Sequence, residues 1–374
     1  MMKKNILALS FSMMLVTSGL VGCNTNEAPN ENKEQAKQTE QTKQTDKATR
    51  TITDSAGRQV EVPVEISTVA PSGPVAQMVL YTLNPDKLVG WSREPNETTK
   101  KYMDQKYWDL PSFGMFYGDT FNLEALMAAK PDVIIDIGEP KDSIATDMDD
   151  IQKRTGIPTI FVEAKLDTTA DAYLMLGDLL DEKEHAKKLA EYSEQTMADA
   201  KKFAASIPED ERVTLYQGLG DAGLNTNGKG SFHSEIIDVA GIENVAVLDK
   251  AASKGGGNEV SLEQLLLWNP DILLFAPNSV YDKVAAKDPL WKDLQATQNG
   301  NVYEVPEGPY NWMSFPPSVN RILGVKWLGN LAYPDVFKYD MIKETKEFYQ
   351  LFYHYDLTDE EAKELLNNST LKRK

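Results

Sequence analysis

The stretch FNLEALMAAKPDVII at residues 121–135 is written a second time as VSLEQLLLWNPDILL at 260–274. Leu123, Glu124, Leu126, Pro131 and Asp132 recur as Leu262, Glu263, Leu265, Pro270 and Asp271, all at one constant offset. Each copy reads as a short amphipathic helix, a Pro-Asp break and a buried β-strand. Proline stops the helix and presets the turn into the strand.

The surroundings repeat with the module. Before the first copy, ISTVA reads as a strand, SGP breaks it, Val75–Leu83 is helical and LVGW is a short strand. Before the second, RVTLYQ is a strand, a glycine-rich loop follows, SEIIDVAG makes a helix and NVAVL a strand. Downstream, helix Met148–Thr155 leads to IPTIFVE, as helix Leu290–Thr297 leads to NVYEVP. Strands alternating with helices at this spacing predict parallel sheets covered on both faces. The expected fold is α/β, with two lobes of parallel-sheet βα repeats and a ligand cleft between them. The apolar stripe through Leu176, Leu180, Leu189 and Met197 predicts one long spine helix joining the lobes, with Gly177 and the EKE stretch as the places where it can be interrupted. Helical patterns over Val319–Leu331 and Lys343–Tyr353 close the second lobe.

The N-terminus reads as a targeting segment. Lys3 and Lys4 precede an apolar run from Ile6 to Val16 and then small residues, the layout of a secretory signal. Leu20-Val21-Gly22-Cys23 resembles the bacterial lipobox, which implies lipidation of Cys23 and cleavage just before it. Residues 24–50 contain no aliphatic side chain larger than alanine and equal numbers of acids and bases, a polar tether that cannot repay its own ordering. The expected boundaries are therefore 1–22 signal, 23–50 lipidated cysteine and tether, 51–170 first lobe, 171–206 linking helix, and 207–374 second lobe with terminal helices.

Of 374 residues, 39 are basic and 57 acidic, a formal charge of −18. A chain this acidic lacks the footprint of a nucleic-acid binder. The single cysteine excludes an internal disulfide, and three histidines far apart in sequence offer no metal-ligand spacing. There is no G-x-S-x-G elbow and no H-E-x-x-H, so no catalytic residue, metal ligand or cofactor is assigned. The near P-loop Gly223…Gly228-Lys229 has Gly230 where a Mg²⁺-binding hydroxyl is required.

A ligand between two parallel-sheet lobes meets loops at the carboxyl ends of strands. Ser72 and Gly73 open a helix there, and its amides suit an anion or a carbonyl oxygen. Trp91 ends the next strand, and Tyr117 lies in the aromatic loop FGMFYGD. In the second lobe Lys229 and Ser231 sit in the glycine-rich loop. Tyr310 and Trp312 lie in PEGPYNWMSFPPSVNR, and Arg321 starts the next helix. An arginine beside aromatics suits a carboxylate, catecholate or oxyanion.

Taken together, the lipobox, the two lobes, the duplicated L-E-x-L…P-D pattern and the opening RTITDSAGRQVEVP resemble the substrate-binding proteins of bacterial ABC importers. The class is the one serving ferric siderophores, haem and vitamin B12, and the resemblance covers roughly 51–355. PPSVNRILGVKWLGNLAYPDVF is similar to a subgroup that includes molybdate/tungstate binders. The resemblance implies a monomeric extracytoplasmic lipoprotein, anchored to the cell membrane, that captures a metal chelate of siderophore type and delivers it to an ABC permease dimer. It also implies that Glu124 and Glu263, at matching motif positions, pair with arginines on the two permease subunits. A molybdate/tungstate or corrinoid ligand stands as the alternative, and a surface-anchored hydrolase or adhesin as the alternative of another class.

Overall fold

The computed structural model describes residues 48–248 and 256–371. The signal, Cys23 and nearly all of the tether lie outside them. The chain enters the fold two residues earlier than expected, because Thr49 and Arg50 already pair with Pro63 and Val62 in an antiparallel hairpin, Thr49–Thr53 with Gln59–Pro63. The hairpin turn DSAGR is held by Asp54. This buried carboxylate accepts from the Ala56 and Arg58 amides and from the Arg58 guanidinium, and also from the Phe161 amide of the first sheet.

Two parallel sheets follow. The first orders Val69–Pro71, Val133–Gly138 and Thr159–Glu163. The expected strand LVGW contributes only isolated bridges, Leu88 to Val69 and Trp91 to Ser112. The second orders Val302–Glu304, Ile272–Phe275, Thr214–Gly218 and Glu243–Asn244.

The duplicated module folds the same way twice, and the structure explains its constant letters. The helices Leu123–Ala129 and Leu262–Trp268 are each seven residues long. Asn122 and Ser261 cap them by accepting from the third helical amide, and Lys130 and Asn269 end them in the left-handed conformation. Leu126 and Leu265 are the side chains each helix buries. Asp132 then accepts from the Ser67 and Thr68 amides and the Thr68 hydroxyl, and Asp271 from the Thr214 amide and hydroxyl. The Asp132 and Asp271 amides donate back to Thr68 and Thr214. Each aspartate thus clamps the start of its own strand to the start of the neighbouring one.

The linking stretch is two helices rather than the single spine expected. Thr169–Leu180 ends at left-handed Asp181 (φ 58°), and Lys183–Ala205 runs back against it. A Cβ on Gly177 would stand 2.4 Å from the Ala186 Cβ, so the glycine sets the close approach of the two helices. Both carry apolar stripes, and folding back buries each against the other.

One continuous core includes Val133 and Ile135 of the first sheet, Leu215 and Leu274 of the second, Leu189 of the linking helix, and Phe348, Tyr349, Phe352 and Tyr353 of the helix Met341–Tyr353. The terminal helices therefore do more than close the second lobe. Tyr353 lies 6.4 Å from Tyr81 and Tyr349 lies 5.2 Å from Tyr102, both aromatic contacts with the first lobe. His185 and His354, distant in sequence, have ring centroids 5.2 Å apart. Burial, and then the neighbouring imidazole, push the His354 pKa down.

Asp132→Ala leaves the Ser67 and Thr68 amides, and Asp271→Ala the Thr214 amide, without their side-chain acceptor. Each is expected to cost about 1–3 kcal/mol. Urea denaturation of the single variants, with an unchanged m-value, checks this.

Candidate ligand cleft

A cavity of about 510 Å³ opens at the carboxyl ends of the strands, between loops of the two lobes. Asp136, Ile137 and Gly138, the last residues of Val133–Gly138, form its floor. On the first-lobe side stand Pro74, Val75, Met115 and Tyr117, and facing them are Phe232, His233, Ser314 and Phe315.

The loop that carries Tyr117 closes on itself. The Asn122 amide donates to the Phe113 carbonyl and the Met115 amide to the Thr120 hydroxyl. Gly114 has φ 70° and its Cβ position lies within 1.8 Å of the Thr120 carbonyl oxygen, so no other residue fits there. The Tyr117 ring is about half exposed, but its hydroxyl turns inward and donates to Asp136 Oδ2 at 2.9 Å. Ser72, fully buried, donates to the other oxygen of the same carboxylate. Burial pushes the Asp136 pKa up, against the two hydroxyls and the Lys141 charge, which pull it down. Burial and then Asp136 push the Tyr117 pKa well up.

The second-lobe wall rests on Arg321. Its guanidinium is buried over the Phe232 ring, 4.5 Å from the centroid, and donates to the Phe232 carbonyl and to Glu235 Oε2, each at 2.8 Å. Desolvation lowers the Arg321 pKa to about 10 and raises that of Glu235, so for both groups burial outweighs their mutual attraction. Glu235 also accepts from the Leu166 amide, joining the two lobes behind the cavity.

The sequence candidates separate accordingly. Ser72 and Tyr117 meet at the cavity floor through Asp136. Gly73 is the N-cap of Pro74–Leu83, whose first two residues line the cavity. Ser231 is buried against Ser234, next in the chain to the lining residues Phe232 and His233. Five expectations are corrected in position. Trp91 is fully buried beside Tyr81 and donates to the Tyr107 carbonyl, so it is core rather than wall. Trp312 is fully buried edge-on to Trp327. Lys229 lies outside the cavity, ion-paired with Glu243 at 2.7 Å. Arg321 sits one layer behind the wall that it supports. Tyr310, its hydroxyl accepting from Gln77 at 2.8 Å, also stands behind the cavity as a link between lobes. The carbonyl of that same Gln77 accepts from Ser92 and from the Arg93 amide, which fixes Arg93 at the cavity.

Asp136 and His233 are the residues that sequence reasoning missed. Asp136 did carry a signal, a lone acid inside the buried run VIIDIG. His233 carried none, since three histidines far apart in sequence gave no reason to single it out. Among the described residues no group of three or more His, Cys, Asp or Glu could hold a metal ion, and no helix is long and apolar enough to cross a membrane.

A family model described as periplasmic binding protein matches residues 73–309, which take in strands of both sheets and most of the cavity lining. The chain belongs to the periplasmic binding protein family. A solved ABC transporter solute-binding protein from Sulfurospirillum deleyianum is 32% identical, covers 85% of this chain and 99% of its own, and superposes with a TM-score of 0.78. The molybdate-binding protein MolA of Haemophilus influenzae is 26% identical over 82% of this chain and 91% of its own. The Fe(3+)-citrate-binding protein YfmC of Bacillus subtilis is 32% identical over 49% of this chain and 56% of its own. These relatives are binding proteins of transporters, not enzymes. The family is that of extracytoplasmic proteins that hand small ligands to ABC importers, which is the coarse role of this chain.

Replacing Arg321 strands Glu235 and frees Phe232, so Arg321→Ala is expected to destabilise the fold by about 3–5 kcal/mol, a cost typical of breaking a buried pair. Thermal melts read the loss directly. A variant as stable as the wild type would return Arg321 to a purely ligand-binding role.

Proposed function

We propose that this chain is a lipoprotein, anchored through Cys23, that captures a metal chelate of the ferric-siderophore type outside the cell and delivers it as a monomer to an ABC permease dimer. The observation that carries the ligand class is the cavity itself. At about 510 Å³ it falls within the roughly 300–1,000 Å³ of small organic ligand sites. That is more space than a bare tetrahedral oxyanion fills. Its walls combine the aromatic rings of Tyr117, Phe232 and Phe315 with Arg93 and Lys141 on one side of the charge balance and Asp136, Glu139 and Asp147 on the other. Such a mixture suits a chelate with both an apolar face and polar edges. Ser72, Gly73, Tyr117 and Ser231 remain the candidate ligand neighbours from the sequence, with Trp91, Lys229, Tyr310, Trp312 and Arg321 acting at most through the residues they support. A molybdate/tungstate ligand is the second reading, favoured by the match to MolA along most of the chain.

Calorimetric titration separates the two. At least one ferric chelate among ferrioxamine B, a ferric catecholate and ferric citrate is expected to bind with Kd of about 1 μM or tighter, about −8 kcal/mol, and sodium molybdate more weakly. Molybdate binding tighter than every ferric chelate tried would transfer the assignment to the second reading.

Glu124 and Glu263 are proposed as the permease-docking pair. Both are exposed in the first turn of their repeat helices, one on each lobe. Glu263 has its pKa lowered by its own backbone amide and by Ser261, so helix capping accounts for part of its placement. The matched acid on the other lobe fits a partner of two-fold symmetry. Reversing both, Glu124→Arg with Glu263→Arg, is expected to abolish uptake while ligand affinity changes by less than about twofold, since docking charges fix register away from the cleft. Uptake at the wild-type rate would remove this pair from the interface.

A further inference from the structure

We infer that the cleft floor is a hydrogen-bond-acceptor surface centred on Asp136, which selects ligands presenting donors or positive charge and rejects bare oxyanions. The inference rests on the cavity being the ligand site and specifies what that site recognises.

The argument is one of proton count. A serine or tyrosine hydroxyl has a single proton to donate. Ser72 and Tyr117 both direct theirs onto the Asp136 carboxylate, one to each oxygen. The Tyr117 hydroxyl, which lines the cavity, therefore has lone pairs and no proton left for a ligand, while Ser72 is fully buried and meets only the carboxylate. Across the cavity, His233 Nδ1 lies 3.2 Å from the Ser314 carbonyl oxygen. A carbonyl can only accept, so Nδ1 carries the ring proton, and Nε2 of the neutral imidazole is an acceptor. Burial favours that neutral form, and so does the nearby Arg321 charge.

Donors also border the cavity, but with charge of the opposite sign beside them. Pro74 occupies the first position of its helix and has no amide proton, so only the amides that follow it are left there. Arg93 and Lys141 are exposed, and Glu139 and Asp147 line the same cavity. Asp136, by contrast, is 9% exposed, where a carboxylate acts on its neighbours with little screening by water. A bare oxyanion in this cavity would meet the Asp136 carboxylate and the lone pairs of the Tyr117 hydroxyl, beside a neutral His233.

The test uses Asp136→Asn, which removes the charge at nearly constant shape. The probes are sodium molybdate, an oxyanion with acceptors only, and ferrioxamine B, a cationic ferric chelate with amide donors. Calorimetry at one neutral pH should show molybdate binding strengthened about tenfold or more in the variant and ferrioxamine B weakened or unchanged. Molybdate affinity that does not rise, whether measurable or absent in both proteins, overturns the inference. Circular dichroism establishes that the variant is folded. If it is not, Asp136→Ser, which removes the same charge with a smaller side chain, carries the same comparison. Failure of the chelate reading is a separate result, because it is read in the wild type alone as the ranking of molybdate against ferric chelates.

Discussion

Phe348, Tyr349, Phe352 and Tyr353 are buried in a block that touches both lobes at once, and the placement of the cleft follows from that block. Phe348 and Phe352 stack at 4.3 Å, while Tyr353 and Tyr349 reach Tyr81 and Tyr102 in the first lobe. Aromatic side chains each bury a large apolar area, so parting the lobes here would expose much of the core to water. The hydrogen bonds Gln77–Tyr310 and Glu235–Leu166 cross between the lobes in addition. The cavity walls are consequently presented by a scaffold with its geometry already set. The exposed rings of Tyr117 and Phe315 stand at the cavity opening.

The fold was legible because its signals are local and written twice. A seven-residue helix, a proline and a buried strand leave the same pattern in both lobes, and the helices around Val325 and Phe348 follow from ordinary periodicity. The errors arose where tertiary contacts decide. The apolar stripe of 171–206 is equally consistent with one long helix or two packed ones, and left-handed Asp181 together with Gly177 chooses the second. Strand LVGW lost its ladder to isolated bridges, although its alternation is strand-like.

The site was legible in outline only. The loops named from the sequence border the cavity, because strand ends in parallel sheets dictate where a cleft lies. The individual side chains were not, because residue type does not reveal depth. Trp91 and Trp312 are large enough to be walls, yet the core claims both. Arg321 has the charge for a ligand, yet Phe232 and Glu235 use it first. Asp136 was hidden by the opposite effect, since an acid inside an apolar strand is read as part of the strand unless its hydroxyl partners are known.

The two aspartate clamps have a bearing on how such a protein can diversify. Asp132 and Asp271 fix strand register at the amino ends of the sheets, the edge remote from the ligand. The loops at the opposite edge can then lengthen, shorten or change composition without shifting a single strand pairing. Surface loops tolerate such change far better than the elements they connect. Stability and recognition are thus assigned to opposite edges of the same sheets, and a lineage could acquire new cargo by rewriting one edge while inheriting the other intact.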